Sequence, residues 1–144
     1  MLIGEFEVKL TDKNRIAIPK KIRNELKDDL ILSRGYEGCL ILLDKSRWLD
    51  LEKLIDKGTV LTMSTRDTKR FILGGAHELE LDMQGRFVLP LNLKDYAQIN
   101  NEIVFVAIKD WVEVWALDIW NKKIEDLSKN ASDIADKLYI KNFK

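Results

Sequence analysis

The chain opens on an alternating stretch. In "GEFEVKL", Phe6 and Val8 fall on one face and Glu5, Glu7 and Lys9 on the other, the period-two pattern of a half-buried strand. A polar turn over residues 11–14 follows, and "RIAIP" resumes as a second strand closed by Pro19. The spacing then changes. "KKIRNEL" sets Ile22 and Leu26 four residues apart, which predicts a short helix entered at the proline. Two more strands, "LILSR" and "CLILL", flank a "GYEG" turn, and the amphipathic stretch "SRWLDLEKLIDK" predicts a closing helix.

Seventy-one residues later the chain repeats this plan. "LTDKNRIAIP" and "LDMQGRFVLP" match at Leu10 and Leu81, Arg15 and Arg86, Ile18 and Leu89, Pro19 and Pro90. "LNLKDYAQI" answers the short helix through Leu93 and Ala97, and "EIVFVAI" and "WVEVWAL" answer the strand pair around a "KD" turn. The register shifts by one before the closing helix, so Trp120 corresponds to Trp48. Asn14 answers Gly85, the two residue types that most readily take a left-handed backbone, so both turns are expected to need positive φ, as in a hairpin or bulged turn. Between the copies, "STRDTKRFILGGAHELEL" predicts a helix capped by Ser64 or Thr65 and stopped by Gly74 and Gly75, with a strand from near Ala76. After Trp120, Ile124, Leu127, Ile134 and Leu138 keep helical spacing, and the polar end is expected to fray.

One such unit is too small to bury both faces of its strands. Two units are expected to interleave into one pseudo-two-fold, barrel-like core, mainly β with short helices packed outside (α+β). The division is residues 5–47, a helical connection at 48–75, the second repeat at 76–119, and a helix and tail at 120–144.

Of the 144 residues 46% are hydrophobic and 33% charged, as in a globular protein. The apolar runs fall far short of the ~20 residues a bilayer span needs, and no charged leader with an apolar run opens the chain. Cys39 is a lone cysteine inside "CLILL" and reads as a reduced core residue of a cytoplasmic protein. The net charge is zero, which removes a whole-surface field as a means of attracting nucleic acid. Any phosphate binding must come from local clusters. The first 23 residues hold one: Lys9, Lys13, Arg15, Lys20, Lys21 and Arg23 stand against Glu5, Glu7 and Asp12. A plain solvated face explains that charge equally well.

The repeated turns are more telling. Each sets a guanidinium at its end, Arg15 or Arg86, beside a polar side chain, Lys13 or Gln84. Arginine's planar fork matches phosphate oxygens and a guanine edge, and glutamine bonds both ways to adenine. A β-ribbon is narrow enough for a major groove. The alternative is that each arginine pairs with a nearby carboxylate such as Asp82 or Glu80; recurrence in both copies favours function. Trp111 and Trp115 share one strand face; base stacking is one use for them, but Val112 and Val114 fill the other side and leave no clean solvent face, so packing in the core or between subunits is favoured. Arg66, Lys69 and Arg70 on the connecting helix suit DNA backbone, a neighbouring subunit or plain solvent. His77 lacks a second metal ligand at matching spacing. "LGGAHE" lacks the Lys and Ser/Thr of a phosphate-cradling loop, and no serine or second cysteine stands as a nucleophile. The expectation is no metal, no cofactor, no small-molecule substrate, no membrane partner and no catalysis.

The doubled turn, with its arginine, apolar triplet and proline, resembles the MraZ family of bacterial transcriptional regulators, which carry two SpoVT-AbrB-type swapped-hairpin modules per chain. The likeness runs from "GEFEV" through Arg66 and Arg70 to Trp120. In the first copy Thr11 replaces the family's Asp and Asn14 its Gly; if that Asp orients the arginine, Arg15 is held less firmly than Arg86. The resemblance implies a swapped-hairpin fold and binding to short direct repeats of double-stranded DNA in the protein's own promoter, ahead of division and cell-wall genes. It also implies a closed, octamer-like homo-oligomeric ring at the nucleoid. Lys13, Arg15, Gln84 and Arg86 are the expected DNA contacts, Asn14, Asp82 and Gly85 the turn supports, and Lys9, Lys20, Lys21 and Arg23 the backbone charges. The rival is an AbrB-like protein-interaction module, such as an antitoxin whose tail from Ser128 to Lys144 wraps a partner.

Overall fold

A computed structural model describes the backbone of residues 1–27 and 29–143, and side chains through residue 138 apart from residue 28. The first half runs β1 (Ile3–Lys9), β2 (Arg15–Ala17), α1 (Lys20–Glu25), β3 (Leu30–Arg34), a 3-10 turn (Tyr36–Gly38), β4 (Leu40–Asp44) and α2 (Lys45–Asp56). The second runs α3 (Met63–Ile72), β5 (His77–Leu79), β6 (Arg86–Val88), α4 (Leu91–Tyr96), β7 (Glu102–Ile108), β8 (Val112–Ala116) and α5 (Leu117–Phe143). This is an α+β fold with antiparallel pairing throughout. Pro19 and Pro90 stand immediately before α1 and α4, where a missing N–H costs the helix nothing. Asp44 caps α2 by accepting the Arg47 N–H at 3.0 Å, and its buried charge is matched by Arg47 Nη1 at 2.6 Å.

The strand order explains why the repeat comes as a pair. The larger sheet reads β1-β7-β8-β4-β3-β5, and a second, two-stranded sheet joins β2 to β6. Exchanging each strand for its repeat counterpart (β1 with β5, β3 with β7, β4 with β8) turns the first order into its own reverse. The pseudo-two-fold axis crosses the ladders where counterparts meet: Ile16 opposite Phe87, and Ile41 opposite Glu113.

The same ladders correct one expectation. Residues 11–14 do not close a local hairpin. The Thr11 N–H still reaches the Arg15 carbonyl at 3.0 Å, but β1 pairs with β7 and β2 with β6. The first two strands of each repeat pair with the other repeat, while β3–β4 and β7–β8 pair within their own. Among the described residues no ladder joins β1 to β5, the two edges of the larger sheet.

Ile16, Ile18, Phe87 and Leu89 drive the two-stranded sheet into a core shared with Leu32, Leu42, Phe105, Val114 and the inner sides of α1 and α4, Ile22 and Leu93. The other face of the larger sheet carries two smaller clusters. Trp48 packs with Ile31, Leu43 and Ile72; Trp120 packs with Cys39, Val104, Val106 and Trp115. Large side chains buried this fully contribute about 1.5–3 kcal/mol each.

Other expectations resolve individually. Trp115 is buried beside Trp120, ring centroids 5.4 Å apart, whereas Trp111 is 40% exposed. The connecting helix is capped by Thr62 rather than Ser64 or Thr65, through backbone geometry and without a side-chain cap bond. Lys69 pairs with Asp56 and Arg70 with Asp67, while Arg66 donates to the Val60 carbonyl. The helical spacing expected after Trp120 holds, with α5 running on to Phe143 and carrying an i,i+4 pair between Lys129 and Glu125. Among the described residues no helix is long and apolar enough to cross a membrane.

Candidate nucleic-acid interface

The β2–β6 ladder decides where the two turns lie. Arg15 stands opposite Val88 and Ala17 opposite Arg86, so the arginines are diagonal neighbours about 7–8 Å apart. They share the ribbon face opposite the buried Ile16 and Phe87. Two crossing bonds tie the turns together: Leu89 N–H to the Asn14 carbonyl at 2.8 Å, and Ile18 N–H to the Gly85 carbonyl at 3.0 Å. The left-handed positions are as expected, Asn14 at φ 55 and Gly85 at φ 74.

Backbone symmetry is not matched by the side chains. In the second turn one carboxylate organises the loop. Asp82 Oδ1 accepts the N–H groups of Gln84 and Arg86 at 2.9 Å, and Oδ2 accepts Arg86 Nε at 2.9 Å. The Arg86 N–H above all, then its guanidinium and the Gln84 N–H, favour the charged form; they outweigh partial desolvation and hold the carboxyl below its ordinary range. The carboxylate pairing weighed for Arg86 therefore occurs, yet it uses only Nε. Among the described residues the two Nη groups make no hydrogen bond, and the side chain stays 30% exposed. In the first turn Thr11 Oγ1 accepts only the Arg15 N–H, at 3.3 Å. The half-buried Arg15 guanidinium has no hydrogen bond or ion pair among the described residues.

Each short helix reaches across to the opposite repeat's turn. Lys94 Nζ of α4 donates to Asn14 Oδ1 at 2.8 Å. Arg23 of α1 donates through Nε to the Ile18 carbonyl at 3.1 Å and lays its guanidinium against Gly85, where an added Cβ would meet Cζ at 2.5 Å. The residue differences are complementary: glycine leaves room for a flat guanidinium, and asparagine offers an oxygen to an ammonium. Arg23 thus belongs to the site as a neighbour of the second turn. Lys94 was missed in the sequence because α4 was read only for its apolar face; it stands seventy-one residues after Arg23, so the repeat spacing carried the signal.

Lys13 and Gln84 are exposed at the turn tips, and Lys20 and Lys21 are exposed on α1, with Lys21 Nζ 5.8 Å from the Phe6 ring centre. Lys9 lies on β1 opposite Glu102 and is not part of the ribbon. Met83 at the second tip is fully exposed, and Val88 and Leu91 nearby are 57% and 68% exposed. Elsewhere, His77 Nε2 bonds Asn92 Oδ1 at 2.9 Å, and the described residues contain no cluster of side chains suited to a metal.

Comparison with known proteins agrees with this architecture. A family model described as "MraZ protein, putative antitoxin-like" matches residues 1–71 and again 72–142. Among curated relatives, proteins named transcriptional regulator MraZ are 39% identical in Clostridium acetobutylicum, 36% in Clostridium tetani and 34% in Syntrophomonas wolfei, each over 138 residues and 96% of both chains. With two matches to one family model, and full-length relatives above 30% identity, the chain belongs to the MraZ family.

Proposed function

We propose that this protein is a sequence-specific DNA-binding transcriptional regulator whose crossed pair of turns touches the double helix. The observation that carries the reading is the β2–β6 ladder, which sets Arg15 and Arg86 side by side while the ribbon's other face anchors in the core. A two-stranded ribbon suits the major groove. Arg15 and Arg86 bring forks for guanine or phosphate, Lys13 a point charge, and Gln84 an amide for adenine. Lys20, Lys21 and Arg23 add backbone charge, with Lys9 a weaker contributor. Asn14, Asp82 and Gly85 keep the turns in shape. The repeats at 5–47 and 76–119 supply one turn each to an interleaved, barrel-like swapped-hairpin unit, joined at 48–75 and extended at 120–144. The naming of the relatives as transcriptional regulators supports the class of activity, and no catalytic step belongs to it.

A single neutral subunit with few phosphate contacts binds weakly. Identical subunits in head-to-tail contact close into a ring, and tethered turns on spaced promoter boxes gain roughly 10²–10⁴ in avidity. The targets are repeats ahead of the protein's own division and cell-wall cluster, so it works on the nucleoid in the cytoplasm. The test is a gel shift with the DNA upstream of its coding region between about 50 and 200 mM salt. Binding that weakens steeply across the series supports the reading; no shift at the lowest salt refutes it. The second reading, a partner-binding module, draws on α5, where Ile134 and Leu138 are 46% and 62% exposed. It predicts no shift and loss of a protein partner on truncation of the helix.

A further inference from the structure

We infer that the two turns divide the labour, the second reading bases and the first holding phosphate, so that a nearly symmetric ribbon reads DNA asymmetrically. This rests on the DNA-binding reading above. Base readout needs a donor fork held in one orientation, because discrimination comes from two parallel hydrogen bonds at fixed positions. Only the second turn supplies that. Asp82 fixes the Arg86 backbone and Nε together, and Arg23, lying flat on Gly85, backs the loop from the opposite repeat. The tip residues of this turn suit base contact as well. Gln84 has an amide that donates and accepts, and the fully exposed Met83 is an apolar surface for a thymine methyl.

The first turn is also backed from the opposite repeat, by Lys94 on Asn14, but it lacks the other features. Thr11 brings no carboxylate to the guanidinium, the Arg15 side chain has no hydrogen-bond partner among the described residues, and the tip carries Lys13 where the second has Gln84. A guanidinium without a carboxylate partner and an ammonium suit phosphate, which accepts charge from many directions. Asp82 and Arg23 are positioning residues, and Gln84 and Arg86 determine specificity.

The test measures affinity for the DNA fragment upstream of the coding region and for a scrambled duplex of equal length, across a salt series. Arg86→Lys and Gln84→Ala are expected to lower the ratio of the two affinities by about 5- to 150-fold. Asp82→Asn should also lower it, while affinity for the scrambled duplex holds or rises because a carboxylate is lost. Arg15→Lys is expected to leave the ratio unchanged. Lys13→Ala should weaken both affinities together and reduce the salt slope by about one. Gln84 and Lys13 are exposed tip residues whose side chains make no hydrogen bond among the described residues, so this pair remains informative even if a turn variant misfolds. Equal effects of Arg15→Lys and Arg86→Lys on the ratio, or none from Arg86→Lys and Gln84→Ala, would overturn the division. Failure of wild-type protein to bind either duplex would instead remove the DNA reading itself.

Discussion

Gly85→Ala tests the contact that links the two repeats at the second turn. Two costs follow from the structure. Alanine at φ 74 meets the left-handed penalty of about 1–2 kcal/mol. Its Cβ would also stand 2.5 Å from Arg23 Cζ and Nη1, so the guanidinium must leave and give up its 3.1 Å bond to the Ile18 carbonyl. That group ends a flexible chain, so displacing it costs little more than the bond, about 1 kcal/mol. The expected destabilisation is about 2–3 kcal/mol, read from urea unfolding at fixed protein concentration. Arg23→Ala should remove the steric share, so the double variant loses about 1 kcal/mol less than the single variants together. Additive losses would show that Arg23 does not rest on Gly85, and a Gly85→Ala cost below about 0.5 kcal/mol would refute the turn geometry.

Three further outcomes are expected. Phe87→Ala, on the pseudo-two-fold axis and 2% exposed, should cost about 3–5 kcal/mol, while Val88→Ala, 57% exposed beside it, should cost under about 0.5 in the same unfolding assay. Cys39 is fully buried, and desolvation first, then the nearby Glu113 and Glu37 charges, push its thiol upward; Ellman's reagent at pH 8 should fail to label native protein and label it stoichiometrically in denaturant. The Asp82 carboxyl is depressed, so its stabilisation is full above the unfolded aspartate value of about 3.9 and is lost as pH falls through the lower folded value. Carboxyl NMR should place its midpoint below that of an unfolded aspartate, and Asp82→Asn should flatten the acid limb of stability.

Much of this was legible because the repeat constrains both copies at once. Asn14 and Gly85 share a backbone conformation, Pro19 and Pro90 open matching helices, and Trp48 and Trp120 fill matching clusters despite the one-residue shift. Strand partnership was not legible. Alternation in "GEFEVKL" and "RIAIP" says which side chains turn inward, but a local hairpin and a cross-repeat ladder satisfy the same pattern. The choice is made by packing, where Ile16 and Phe87 bury each other across the axis. The course of α5 was legible too, since Ile124, Leu127, Ile134 and Leu138 keep helical spacing along it. The asymmetry of the turns was half visible: Thr11 against Asp82 stood in the sequence, while Lys94 on Asn14 and Arg23 on Gly85 needed the fold.

The central claim is that Arg15 and Arg86, presented together by the β2–β6 ribbon, hold the double helix. Fluorescence anisotropy of the upstream fragment, with wild type and the Arg15→Ala/Arg86→Ala variant at matched assembly size, tests it most directly. The expected result is a salt slope shallower by about one per engaged subunit in the variant, from the lost phosphate contact of Arg15, with preference over scrambled DNA lost through Arg86. Equal affinity, slope and preference in the two proteins would contradict it.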